Sequence, residues 1–141
     1  MSVGSEIKTI AEDSVLNANY LKARLQDFFD IPYRKNSMHE FVISVKNLKK
    51  IGANALNISK RIIDYGIYPP TIYFPAIVEE AIMIEPTETE NTDRLDEFAD
   101  ILKKILNEAK TDNNVLKNAP VNGNIRRINE FQALKEPVLK E

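Results

Sequence analysis

Residues 64–75, DYGIYPPTIYFP, set three prolines and a glycine within twelve residues, and no other stretch limits the local fold so tightly. Pro69 and Pro70 have no backbone N–H and cannot continue a helix. A residue that precedes proline is steered out of the helical region, so Tyr68 and Pro69 are extended. Gly66 stands where a helix ending there would place its left-handed C′ residue, a conformation that costs glycine least. The run that follows, Thr71, Ile72, Tyr73 and Phe74, is β-branched and aromatic, a strand pattern. The stretch predicts a helix stop, a rigid corner and a strand in direct succession.

The flanking patterns extend this reading. Ala55, Ile58 and Ile62 share one face of a helix from about residue 54 to 65, with Asn54 as its cap. Ala11, Val15, Ala18, Leu21, Leu25 and Phe28 recur at spacings of four and three, which predicts a helix over residues 5–29. Pro32 bounds it. At about twice the mean helix length, it must overhang its own core or pack on something else. Residues 41–45 and 81–84 are two further strands, and residues 46–50 read as a solvated, charged connection. Leu95, Phe98, Leu102 and Ile105 predict a third helix, with Asp93, Asp96 and Glu97 at its positive end and Lys103, Lys104 and Lys110 towards the other. Thr87 to Glu90 fits a capping box, with Thr89 and Asn91 as equal alternatives for the cap. A short helix near 113–118 precedes an irregular polar tail. The fold class is α+β, a sheet of about three strands with helices on one face. It divides into a helix over 1–30, a small α+β domain over 31–110 and a tail over 111–141.

Composition removes most chemistry. With 141 residues the chain fits one domain, and its net charge of -2 gives no reason to expect nucleic acid or an anionic membrane as partner. There is no cysteine, which excludes disulfides, thiolate metal sites and a cysteine nucleophile. One histidine, His39, cannot build a histidine-rich zinc site. No phosphate-cradling glycine loop and no GxSxG elbow occurs. No apolar run approaches the roughly 20 residues that span a bilayer, and MSVGSEIK lacks a leader's apolar stretch, so a cytoplasmic chain is expected. No complete active site is legible. The expected sets of catalytic, cofactor-binding and metal-ligating residues are therefore empty.

Longer motifs carry a family resemblance. HEFVISV at 39–45, SKRIIDYGIYPPTIYFP at 59–75, EAIMIEPTETE at 80–90 and LDEF at 95–98 resemble the C-terminal part of the glycine cleavage system P-protein, glycine dehydrogenase (decarboxylating). The match is to subunit 2 of its two-subunit bacterial form. SVLNANYLKARL at 14–25, KNAPVNGNIRRINE at 117–130 and KEPVLK at 135–140 extend it over nearly the whole chain.

The resemblance implies the small domain of a fold-type I, aspartate-aminotransferase-like pyridoxal-phosphate enzyme. The first helix would then be the linker to a large cofactor domain. It also implies decarboxylation of glycine on the cofactor and transfer of the aminomethyl group to the lipoyl arm of the carrier H-protein. The other P-protein subunit is a further implied partner. The cofactor lysine and phosphate grip belong to the family's large domain, and none of the 13 lysines here sits in the cofactor-lysine motif. His39 is followed by Glu40 instead. The chain is thus expected to be part of an enzyme, inactive alone and without bound cofactor.

Within the small domain, the corner at 64–71 is the expected cleft-facing element. Tyr68, Pro69 and Thr71, with His39, are the possible substrate contacts. The family usually reads DYG-x-His-Pro-Pro-Thr, and here a neutral phenol, Tyr68, stands in the histidine's place. A proton-transfer role at that position does not carry over. Glu85, Glu88 and Glu90 form a carboxylate cluster read as capping and dipole compensation. Arg126 and Arg127 read as tail-docking or interface residues, with substrate-carboxylate binding as the lesser alternative. Apolar surface on the first helix implies dimers or larger oligomers through that face. The other reading is a standalone, non-catalytic α+β regulatory or binding module, which the upstream reading frame would distinguish.

Overall fold

Three short strands make one antiparallel sheet in the computed structural model, which describes residues 4 and 6–138. Residues 1–3, 5 and 139–141, which the expected first helix and tail include, lie outside the described residues. Strand β1 (Phe41–Ser44) pairs with β3 (Ala81–Ile84), and β3 pairs with β2 (Thr71–Ile72), giving the order β1-β3-β2. Phe41 lies opposite Ile84 and Ile43 opposite Ile82. Side chains alternate across a sheet, so these four and Ile72 enter the helix-packed core. Val42, Met83 and Thr71 take the other face, where Val42 and Met83 share a small cavity with Tyr33, Phe74 and Pro75.

Among the described residues, five α-helices accompany the sheet: α1 (Ile7–Leu25), α2 (Ala55–Asp64), α3 (Thr92–Thr111), α4 (Asn114–Asn118) and α5 (Glu130–Lys135). Helix α1 packs on α3, and α2 packs on both α3 and α4. Asn54 caps α2 by accepting from the Asn57 N–H at 2.8 Å. The α3 seam runs through Leu95, Ala99, Leu102, Ile105 and Leu106, with Phe98 only partly buried. No described helix is long and apolar enough to cross a membrane.

Several expectations are corrected. Helix α1 ends at Leu25, and the N–H groups of Phe28 and Phe29 both turn back onto the Leu25 carbonyl. That tightened turn buries Phe29 and leaves Phe28 outside, beneath the Lys103 ammonium at 4.9 Å. Ala11 is exposed as well, so the buried seam of α1 is confined to its C-terminal half: Ala18, Leu21, Lys22 and Leu25. The second strand stops at Ile72 because Tyr73 takes φ +62°, outside the extended region. Residues 46–51 are a 3₁₀ turn with Leu48 buried, tied to the loop before β3 by Lys49 and Glu79 at 2.9 Å. Of the three candidate caps of α3, Asn91 is the one used, accepting from the Arg94 N–H at 2.9 Å. The tail gains α5, which buries none of its residues.

Candidate functional site

The corner is made by the way α2 ends. The Gly66 N–H donates to Ile63 O at 2.9 Å and the Ile67 N–H to Ile62 O at 3.4 Å, the two closing bonds of a Schellman motif. Gly66 has φ +77°, and a Cβ there would meet nothing within 4 Å. Backbone handedness, worth about 1 kcal/mol, is what requires glycine there. Ile67 turns back onto the core, and the two prolines carry the chain away extended into β2.

Between this corner, α1, α3 and the end of β3 lies a cavity of about 290 Å³. Its apolar walls are Leu21, Leu95, Phe98, Met83, Ile84 and the corner residues Ile67, Pro69 and Pro70. Tyr68, Thr71, Glu85, Glu90 and Arg94 supply its polar groups. Three of the four expected contacts, Tyr68, Pro69 and Thr71, thus line one cavity. Tyr68 is 95% exposed and packs against nothing extensive. His39 does not line it, but its Nε2 lies 3.6 Å from Oε1 of Glu85, which does. That pair is more than half exposed on both sides and is worth little energetically. Possible ligand atoms of His39, Glu40 and Glu85 lie within 4.8 Å of one another, the one such group among the described residues. Glu85 is therefore a partner of His39, not a cap of α3.

The lining does not suit pyridoxal phosphate. Among the described residues no lysine faces the cavity, so none of them offers an amine to hold the cofactor covalently. Arg94 is its one cation, and its Nη1 already donates to Glu97 Oε2 at 2.8 Å. The carboxylates Glu85 and Glu90 would repel a phosphate. The cavity can receive an uncharged or cationic group against apolar walls. No chemical step on the cofactor is assigned to these residues.

A polar network behind the corner holds it in place. Arg61 bonds Glu108 through Nε at 2.9 Å and Nη2 at 3.1 Å, and reaches Asp64 through Nη1 at 3.2 Å. The Tyr65 hydroxyl donates to Glu108 Oε1 at 2.6 Å. Both the Arg61 and the Lys104 cations sit 5.0 Å from the Tyr65 ring centre. Burial by itself would raise the Glu108 carboxyl, but Arg61 and Tyr65 outweigh it and hold the group below its ordinary value. Burial likewise works against Asp64, and the backbone N–H groups of Asn122 and Val121, with Arg61, lower it on balance. Its bonds to the Glu108 carboxylate are the main reason the Arg61 guanidinium is held even more firmly protonated. Apart from the local pair Arg61 and Asp64, the hydrogen-bonded partners lie 43 to 58 residues apart in sequence, which is why pattern reading missed them.

On the opposite side, α1 holds the segment leading to His39. Lys22, only 8% exposed, donates through Nζ to Tyr33 O at 2.7 Å, to Ser37 Oγ at 3.1 Å and to Lys35 O. No carboxylate compensates it, and burial lowers its pKa. Asn19 adds a reciprocal pair, Nδ2 to Ser37 O at 2.7 Å and Ser37 N–H to Oδ1 at 3.0 Å. The only sequence signal for this staple was a lysine on the apolar face of a helix.

Comparison with known proteins agrees with the corner motif. The sequence profile of the family "Glycine dehydrogenase, C-terminal domain" matches residues 10–121. A protein of Thermotoga maritima is 50% identical over 135 residues, covering 95% of this chain and 28% of the relative. One from Aquifex aeolicus is 52% identical over 141 residues, covering 99% and 29%, and one from Endomicrobium trichonymphae is 51% identical over 141 residues, covering 99% and 30%. All three carry the name "Probable glycine dehydrogenase (decarboxylating) subunit 2". The chain spans less than a third of the length of these relatives. With four fifths of its length matched by one family profile, the chain belongs to the glycine dehydrogenase C-terminal domain family.

Proposed function

We propose that this chain works as the small domain of a pyridoxal-phosphate-dependent glycine dehydrogenase (decarboxylating), in the cytoplasm, and supplies one wall of the active-site cleft. The observation that carries this reading is the cavity at the corner, lined by the Pro-Pro-Thr end of the family's DYG-x-x-Pro-Pro-Thr motif and, among the described residues, by no lysine. A domain that shapes a cleft without anchoring the cofactor needs the lysine-bearing large domain of the fold-type I enzymes to complete it. In that assembly the bound cofactor would act as the electron sink for loss of carbon dioxide from glycine. The other P-protein subunit and the lipoyl arm of the H-protein are the proposed partners.

This chain's own residues contribute shape. Pro69 and Thr71 form the wall, Tyr68 projects from its rim, and His39 approaches through Glu85. In an enzyme extended with the large domain, Tyr68→Ala and Thr71→Ala are expected to raise KM for glycine or lower kcat by about tenfold. Losses near 1.4 kcal/mol are usual for one positioning contact. Unchanged kinetics in both variants would remove the corner from the cleft.

The exposed Ile7 and Leu16 on the N-terminal half of α1 support self-association of the isolated chain through that helix. Light scattering is expected to report a dimer or larger species. A monomeric mass at high concentration contradicts this.

A further inference from the structure

The tail does not simply trail from α4; its first part is clamped onto the end of α2, directly behind the corner. Asp64, whose side chain is 1% exposed, accepts from the Val121 N–H at 2.6 Å and the Asn122 N–H at 2.8 Å with one oxygen. The Asn122 amide donates back to the Asp64 carbonyl at 3.0 Å. Arg127 closes the other end. Its Nε donates to Ala119 O at 2.8 Å, and its Nη2 to Leu116 O at 2.9 Å and to Oδ1 of the buried Asn57 at 2.8 Å. Three elements, α2, α4 and the tail, thus meet chiefly through two side chains, Asp64 of α2 and Arg127 of the tail.

Asp64 is the last residue of α2, two positions before Gly66, so whatever fixes Asp64 fixes the direction in which the corner leaves the helix. Of the corner's two closing bonds, Gly66 to Ile63 is 2.9 Å, while the outer one, Ile67 to Ile62, is long at 3.4 Å. The outermost turn of a helix end closed this way depends on what is packed behind it. We infer that residues 119–127 form a strap that sets the position of the corner at 64–71, with Asp64 and Arg127 as its positioning residues. The strap acts from outside the cavity, and the inference stands whatever the corner contacts. It gives Arg127 a role distinct from its neighbour Arg126, which makes no hydrogen bond or ion pair among the described residues.

Amide hydrogen exchange by NMR on this chain tests it, with Asp64→Ala, Arg127→Ala and Arg126→Ala compared. The first two are expected to speed exchange about tenfold at Val121 and Asn122 and also at Gly66 and Ile67, while Leu102 in the core keeps its protection. Arg126→Ala should leave all five amides unchanged. If the tail amides accelerate while Gly66 and Ile67 do not, the strap does not position the corner and the inference fails. Should Asp64→Ala not fold, Asn122→Ala removes a single strap donor and must show the same coupled acceleration, in smaller measure. Protection at Gly66 and Ile67 in both Asn122→Ala and Arg127→Ala would equally overturn it.

Discussion

Glu108→Ala is expected to lower stability by about 3 kcal/mol, or about 10 °C in Tm, measured by urea and thermal unfolding. The side chains of Arg61 and Glu108 are 16% and 19% exposed, so removing the carboxylate strands a guanidinium that water reaches poorly. The Tyr65 hydroxyl loses its acceptor at the same time. Asp64 remains bonded to Arg61 and keeps the loss at the low end of the range for a broken buried pair.

The same network sets an acid limit. Glu108 and Asp64 both have folded-state pKa values below their unfolded ones. Their contribution is complete above the unfolded values, near pH 4 to 4.5, and is lost as pH falls through the lower folded values. The groups that set this window are Arg61, Tyr65 and Lys104 around Glu108, and Arg61 with two backbone N–H groups around Asp64. In Glu108→Gln the fall in stability below pH 4 should be visibly shallower than in the native chain. An equal acid slope in the two proteins would show that Glu108 is not held below its ordinary value.

Lys22→Ala is expected to cost about 2 to 3 kcal/mol and to release residues 33–37. The substitution takes away a buried aliphatic stem and leaves three oxygens without their shared donor. Desolvating the ammonium offsets part of what those bonds contribute, so the loss stays below that of an uncompensated charge. Lys22→Met separates the two terms, since it restores the stem but not the donor. It should recover part of the stability while the Ser37 amide stays less protected than in the native chain. Ser37 protection unchanged in both variants would show that Asn19 alone holds the segment.

The elements easiest to read from sequence were those fixed by local chemistry. Gly66 with Pro69 and Pro70, Asn54 as a cap, and the β-branched runs at 41–44 and 81–84 all encode their conformation within a few residues. Errors arose where a neighbour decided. The exchange of Phe28 for Phe29 depends on a turn closing onto Leu25, and the choice of Asn91 among three candidate caps depends on how residues 87–90 are held. Asn17 holds that turn from α1, bonding the carbonyls of Thr87 and Glu90 at 2.9 and 3.0 Å. The cavity lining shows the same division. Tyr68, Pro69 and Thr71 were legible as a corner, whereas Leu21, Phe98 and Arg94 enter it only through tertiary packing. The bonds from Arg61 to Glu108, from Asn122 to Asp64 and from Arg127 to Asn57 join residues far apart in the chain and left no periodic trace.

We propose that this chain shapes an active site it does not operate alone. The direct measurement is exchange of labelled bicarbonate into the carboxyl group of glycine with pyridoxal phosphate and H-protein present. It compares this chain alone with the same chain joined to, or mixed with, the lysine-bearing portion of a family relative. No exchange and no visible cofactor absorbance are expected from the chain alone, and activity is expected once the lysine-bearing portion is added. Robust exchange by this polypeptide alone would contradict it.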